Sequence, residues 1–149
     1  MEMLDTDDPA LWYAIHRLLV NYWAAADASD GQTHEFYLPN GVFEVTGRRF
    51  EGGEQIKRFW AERAWHKAEH NTSSRHLISN LRVFRGDARH ARAVGVMCLY
   101  RGDGGASLPI SKPPTMIHDF EAHCVLGDDK IWRFQSHVLT LIFDGRNTP

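Results

Sequence analysis

The sequence predicts an α+β domain, with helices confined to the first half and a meander of long strands filling the second. Three observations carry this. Leu11, Ile15, Leu18, Leu19, Tyr22 and Ala26 recur at helical spacing, one broad apolar stripe through about five turns. After Gly41 the pattern changes to Val42-Phe43-Glu44-Val45, which is β-rich. Beyond residue 74, turn signals divide the chain into four long alternating segments. With 149 residues the chain has the usual size of one domain, so residues 1–149 are read as a single unit around one core.

Each element follows from local chemistry. The first helix starts at Asp7 or Asp8, where an aspartate cap precedes Pro9 in the first turn. Ala28-Ser29-Asp30-Gly31 ends it, and Asp30 is placed to cap a short second helix through Thr33 to about Tyr37. Leu38-Pro39-Asn40-Gly41 reads as a turn, Val42–Val45 and Arg48–Glu51 as a hairpin about Gly47, and Glu54 to about Ala68 as a third helix. Strands are expected over Arg75–Phe84, His90–Arg101, Thr115–Leu126 and Lys130–Phe143. Arg85-Gly86-Asp87 and Gly127-Asp128-Asp129 form tight turns between them, with a Gly- and Pro-rich loop over Gly102–Pro114. A curved antiparallel sheet would pack one face on the helices and leave a pocket on its concave side.

Composition removes several function classes. The 17 Lys+Arg against 19 Asp+Glu leave a net charge of −2, so no overall field attracts nucleic acid or an anionic membrane surface. No apolar run approaches the roughly 20 residues of a membrane span. The acidic N-terminus, with Glu2, Asp5, Asp7 and Asp8, lacks the pattern of a secretory signal, so a cytoplasmic location is expected. Cys98 and Cys124 form no C-x-x-C pair and are read as buried small hydrophobes. His66-Lys67-Ala68-Glu69-His70 matches the H-x-x-E-H zinc signature, but at a helix end with no third ligand on a following helix; no metal is expected. Nucleophile-elbow, Walker A and dinucleotide motifs are absent.

Nine histidines in so short a chain direct attention to proton transfer. Tyr22 sits in the apolar stripe, within about 20° of Leu11 and 40° of Leu18 at 100° per residue, so it points inward. It is either a core tyrosine or a phenol entering a cavity. Asp27 stands about 140° from Tyr22 on an ideal helix, at the edge of the buried face beside Trp23 and His16. Held against tryptophan, its pKa would rise. His76 opens the first long strand. If its phase faces the cavity, Asn80 lies on the same side about 13 Å away. Asp119, Glu121 and His123 share one phase of the third long strand, the pattern of a solvated face, with Asp119 placed to reach a pocket mouth.

Several phrases, taken in order, resemble a known family. They are Ile15-x-x-Leu18-Leu19-x-x-Tyr22-x-x-Ala25-x-Asp27-x-x-Asp30, then Phe36-Tyr37-x-Pro39-x-Gly41-Val42-Phe43-Glu44, then Gly53-x-x-x-Ile56-x-x-Phe59. His76-x-x-x-Asn80-x-x-Val83, Asp119-Phe120 and Ile131-Trp132-Arg133-Phe134 follow. Together they are similar to the SnoaL-like proteins of the nuclear transport factor 2-like superfamily, on the side of the scytalone dehydratase and bile acid dehydratase branch. The resemblance implies a cone-shaped α+β barrel, three N-terminal helices on a strongly curved, mostly antiparallel sheet, assembled as a homodimer or homotrimer. It implies cofactor-free acid–base chemistry by Tyr22, Asp27 and His76, with Trp23, Asn80, Tyr100 and Asp119 around the substrate. One departure is visible: where those dehydratases offer the histidine a polar partner on the next strand, this chain has only Cys98 or Tyr100.

The expected activity is therefore a lyase or isomerase, a dehydratase or double-bond isomerase acting on a small, cyclic, apolar, carbonyl- or hydroxyl-bearing substrate. The alternative is a non-catalytic ligand-binding or structural subunit, similar to the β subunits of aromatic-ring dioxygenases.

Overall fold

In the computed structural model, residues 4–5, 7–103 and 112–146 are described. Strand β1 (Leu4–Asp5) precedes helix α1 (Pro9–Ala28), a 3-10 turn (Thr33–Phe36), strands β2 (Tyr37–Val45) and β3 (Arg48–Glu51), and helix α2 (Gly53–Glu69). Strands β4 (Thr72–Arg85), β5 (His90–Asp103), β6 (Met116–Leu126) and β7 (Trp132–Asp144) complete the chain. Strand β1 is not among the elements expected from the sequence, and β2 begins earlier than the expected Val42; the other boundaries lie within a few residues of those read from the sequence.

Helix α1 begins as its sequence dictates: Asp8 Oδ1 accepts from the N–H groups of Ala10 and Leu11 at 3.0 and 3.1 Å, ahead of Pro9. It ends where Ser29 turns left-handed at φ 54° and its N–H reaches back to Ala26. Its stripe is buried as expected, with Ile15, Leu19 and Tyr22 fully so.

Three expectations need correction. The short second helix is a single 3-10 turn, so the described residues hold two α-helices, not three. Asp30 does not cap it; its carboxylate instead accepts from Gln32 N–H in a local turn. Leu38–Gly41 is not a turn between elements but a bulge inside β2, where pairing with β7 shifts between Tyr37 and Val42. Gly41 is required there: a Cβ would come within 2.9 Å of the Leu38 carbonyl oxygen.

The strands form one mixed sheet in the order β1-β4-β5-β6-β7-β2-β3. All neighbours are antiparallel except β2 and β7, which run parallel. The sheet is not closed into a barrel, because the strands ending the order, β1 and β3, do not pair. Yet α2 touches β2 and β3 at one end of the order and β4 near the other, so the sheet must curl around it. Helix α1 packs on β4 and β7. Phe43, Met97, Phe120, Phe134 and Leu139 meet the helices in one core.

The inner phase of each strand decides what the cavity sees. In β4, His76 and Ile78 are half-buried between exposed Arg75, Leu77 and Ser79. A bulge follows: Asn80 has φ 54°, pairing with β5 shifts between Ser79 and Arg82, and Val83 resumes the buried phase. In β5 the inner phase is Met97, Leu99 and Arg101; in β6 it is Met116, His118, Phe120, Ala122 and Cys124. Cys124 is buried as expected, whereas Cys98 is only half-buried.

Candidate active site

Between α1, α2 and the curled sheet lies a cavity of about 500 Å³, within the size range of small-molecule sites. Trp23 and Trp60 form its aromatic wall, with Phe43, Phe59, Met97, Leu99 and Leu139; Ser74, His76 and His118 are polar groups on its surface.

The strongest polar contact joins α1 to β4. Asp27 Oδ1 lies 2.6 Å from His76 Nδ1 and also accepts from Ser74 Oγ at 2.9 Å, while Oδ2 accepts from the His76 backbone N–H at 2.9 Å. Both side chains are largely shielded, with relative exposures of 10% for His76 and 12% for Asp27. Trp23 stacks on the His76 ring at 4.3 Å and 14°, and Trp60 meets its edge at 6.3 Å. The imidazole is thus clamped in orientation as well as in tautomer.

The aspartate's pKa moves opposite to the sequence-based expectation. Burial does raise it, but the hydrogen bond and charge of His76, with the donors of the His76 backbone and Ser74, outweigh burial, and the carboxyl is held below its ordinary value. A carboxylate that accepts Nδ1–H leaves Nε2 with the lone pair, and Nε2 has no hydrogen-bond partner among the described residues. The pair has the layout of an oriented general base.

Tyr22 lies elsewhere. Its hydroxyl accepts from Trp60 Nε1 at 3.0 Å and from the Tyr37 hydroxyl at 2.9 Å, and Tyr37 in turn lies 3.4 Å from His137 Nδ1. It is fully buried and does not line the cavity; it supports the wall by holding Trp60. Burial pushes the phenol's pKa well up and that of His137 down to about 3, so both are neutral near pH 7.

Of the four residues expected around the substrate, Trp23 lines the cavity and the others do not. Asn80 is exposed because the β4 bulge breaks the alternation linking it to His76. Tyr100 and Asp119 occupy the outer phases of β5 and β6, where Tyr100 is 37% exposed. The neighbours of Asp119 in that phase, Glu121 and His123, make a surface cluster with Arg92, the solvated face foreseen for the triplet.

Sequence reasoning missed His118, Arg63, Lys67 and Arg101. His118 is 1% exposed, lies 3.5 Å from Thr46 Oγ1 through Nε2, and has no partner for Nδ1 among the described residues. Burial first, then its electrostatic interaction with His76 and Arg146, lowers its pKa against the pull of Asp144. The signal was one polar residue within the apolar phase Met116, Phe120, Ala122, Cys124. Arg101 follows Met97 and Leu99 in phase. It is the expected last residue of its strand, ahead of the loop from Gly102, but β5 runs on through Asp103. Among the described residues no cluster of three or more His, Cys, Asp or Glu side chains could hold a metal ion. His66 and His70 stack at the end of α2, where His70 Nδ1 bonds the His66 carbonyl.

The profile of the SnoaL-like domain family matches residues 11–138. The chain belongs to the SnoaL-like family. No curated protein matches it. Solved structures place the fold among the NTF2-like, cystatin-like proteins. An NTF2-like protein with a cystatin-like fold from Novosphingobium aromaticivorans aligns with TM-score 0.70 and 14% identity over 87% of this chain and 80% of its own. A protein from the same organism, proposed to be a scytalone dehydratase, aligns with TM-score 0.71 and 14% identity over 90% and 85%. A Catenulispora acidiphila protein in complex with S-DNPA aligns with TM-score 0.72 and 18% identity over 90% and 95%. No helix among the described residues is long and apolar enough to cross a membrane.

Proposed function

We propose that this SnoaL-like chain is a cofactor-free dehydratase or isomerase that acts on a cyclic, carbonyl-bearing small molecule through the His76–Asp27 pair. The observation that carries the reading is the cavity-lining imidazole whose Nδ1 lies 2.6 Å from a carboxylate while Nε2 has no partner among the described residues. Nε2 removes a proton from the carbon beside the carbonyl, and the C–H electron pair moves onto the carbonyl oxygen as an enolate. Asp27 stabilises the imidazolium. When a hydroxyl sits on the β carbon, the imidazolium returns the proton to it, water leaves and a conjugated enone remains. Without such a leaving group the proton returns at the γ carbon of an enone, and the double bond migrates.

Trp23 Nε1 and His118 Nδ1, both buried without partners among the described residues on side chains that line the cavity, are the donors nearest in kind to an oxyanion site. Tyr22 acts through Trp60, as a positioning residue. The fold of the neighbours supports a small-molecule role, and the family likeness extends to assembly as a homodimer or homotrimer, which sedimentation reads directly.

The test is turnover of a panel of cyclic β-hydroxyketones, read as enone absorbance, and of β,γ-unsaturated cyclic ketones, read as their conjugated isomers. Wild type turns over at least one, and His76→Ala, with an unchanged circular dichroism spectrum, loses roughly 100- to 10,000-fold in kcat. A His76→Ala variant as active as wild type would refute the reading, and a protein that binds panel members without turnover is a binding module instead.

A further inference from the structure

The cavity carries an electrostatic bias that its neutral chemistry does not use. Its described lining includes Arg48, Lys57, Arg63, Lys67, Arg101 and Arg146 and no Asp or Glu, in a chain of net charge −2. These cations are not equivalent. Arg146 is neutralised by two contacts to Asp144, and Arg48 lies over the Phe50 and Phe59 rings at 5.2 and 5.8 Å.

Arg63 and Arg101 differ. Both are half-buried, yet neither makes a hydrogen bond or ion pair among the described residues; Asp103 attracts Arg101 without bonding it. Lys67, one turn beyond Arg63 on α2, donates to the Ala26 and Asp27 carbonyls at 3.3 and 2.9 Å, which anchors its ammonium at the end of α1. Burial lowers the pKa of all three; repulsion from Arg48 lowers that of Arg63 further, Arg63 and Arg101 lower that of Lys67 against the pull of Asp27, and Arg63 lowers that of Arg101 against the pull of Asp103. Partly desolvated like charges are unfavourable when no carboxylate is bonded to them, as for Arg63 and Arg101 among the described residues, and an anion would complete the site.

Position says what the anion belongs to. Arg101 pairs in register with Ser74, and Leu99 with His76, so the cationic end lies two residues, or about 7 Å, along the strands from the base. We propose that Arg63, Lys67 and Arg101 bind a carboxylate on the substrate and so orient its carbonyl-bearing ring toward His76; this rests on the function proposed above. The planar guanidinium fork suits a carboxylate. A phosphate cradle would be expected to offer a run of glycine N–H groups, and Gly31 is the one glycine in the described lining.

The binding test uses three probes of one ring system: 2-naphthoate, neutral 2-naphthamide and 2-naphthyl phosphate. Each is titrated against quenching of the tryptophans that line the cavity and checked by calorimetry. In wild type at low salt, naphthoate binds about tenfold or more tighter than naphthamide, and the preference shrinks in 0.5 M NaCl. Arg63→Gln/Arg101→Gln reduces the preference to about twofold or less, and Arg101→Lys keeps part of it. His76→Ala retains the preference whatever it does to turnover, so the subsite and the catalytic reading fail separately. Because the two arginines lack hydrogen-bond and ion-pair partners among the described residues, each single Gln variant melts no lower than wild type without ligand. Equal binding of naphthoate and naphthamide, tighter binding of the phosphate, a preference kept in the double variant, or a drop in melting temperature of more than about 5 °C in a single variant would overturn the assignment.

Discussion

Replacing Asp27 by Asn tests the centre of the mechanism with almost no change in shape. The carboxylate serves three groups at once: His76 Nδ1 at 2.6 Å, the His76 backbone N–H at 2.9 Å and Ser74 Oγ at 2.9 Å. An asparagine has one acceptor oxygen, so its NH2 must face a donor or turn toward His76 Nδ1. Hydrogen bonds to charged groups contribute about 1.5–3 kcal/mol each, and the asparagine oxygen recovers part of the loss, so a net cost of about 2 kcal/mol is expected. For a domain of this size that corresponds to a fall in Tm of about 4–8 °C. The kinetic effect should be larger. An amide N–H facing Nδ1 favours the tautomer with Nε2 protonated, which removes the lone pair that takes the substrate proton. Loss of an oriented base amounts to roughly 100- to 10,000-fold in kcat, with KM little changed. Steady-state kinetics beside a thermal melt read both numbers, and proton NMR of the Nδ1–H reports the tautomer. Asp27→Asn with kcat within about threefold of wild type, while folded, would refute the pair as a catalytic unit.

The remaining expectations concern the groups around this pair. Asp27 has a depressed pKa in the folded protein, so its contribution to stability is full above the unfolded value near 4 and fades as pH falls through the folded one; urea melts at stepwise lower pH should show wild type and Asp27→Asn converging below about pH 4. Tyr22→Phe leaves Trp60 Nε1 and the Tyr37 hydroxyl without their acceptor, a cost of about 1–3 kcal/mol; with Tyr22 acting through Trp60, kcat should fall less than about tenfold, and a loss matching that of His76→Ala would place the phenol on the substrate. His118→Leu should lower kcat by about 100- to 1,000-fold with KM nearly unchanged if Nδ1 donates to the enolate, and wild-type kinetics would remove it from the site. Gly95→Ala brings a Cβ to 2.7 Å from the Phe120 ring and 2.9 Å from the Ser79 carbonyl oxygen; overpacking of about 1–3 kcal/mol predicts a lower denaturation midpoint.

Local signals were sufficient for the elements because they depend on neighbours in sequence. The Asp8-Pro9 cap, the stripe of α1, the Gly47 hairpin and the acidic turn at Asp128 act over a few residues, and the structure has them where the chain chemistry puts them. The Asp27–His76 pair was legible as two candidates, since one closes a buried helix face and the other opens a strand. Asn80, Tyr100 and Asp119 were misplaced because strand phase is a period of two, and one extra residue inverts it. The bulge near Asn80 undoes the link to His76, and nothing local in Ser79-Asn80-Leu81 announces it.

The sequence by itself determined the α+β class, the order of the two long helices and of β2 to β7, the family and the two residues of the proposed base. Only the tertiary structure decided that two helices rather than three cover an open sheet, and that Tyr22 supports the cavity wall from behind Trp60. It also decided that His118, Arg63, Lys67 and Arg101 face the same space as His76. The physical reason is range. Capping, periodicity and turns are set within one or two turns of chain, whereas a pocket is a meeting of residues up to about a hundred positions apart, set by how far the sheet curls and which strand phase it turns inward.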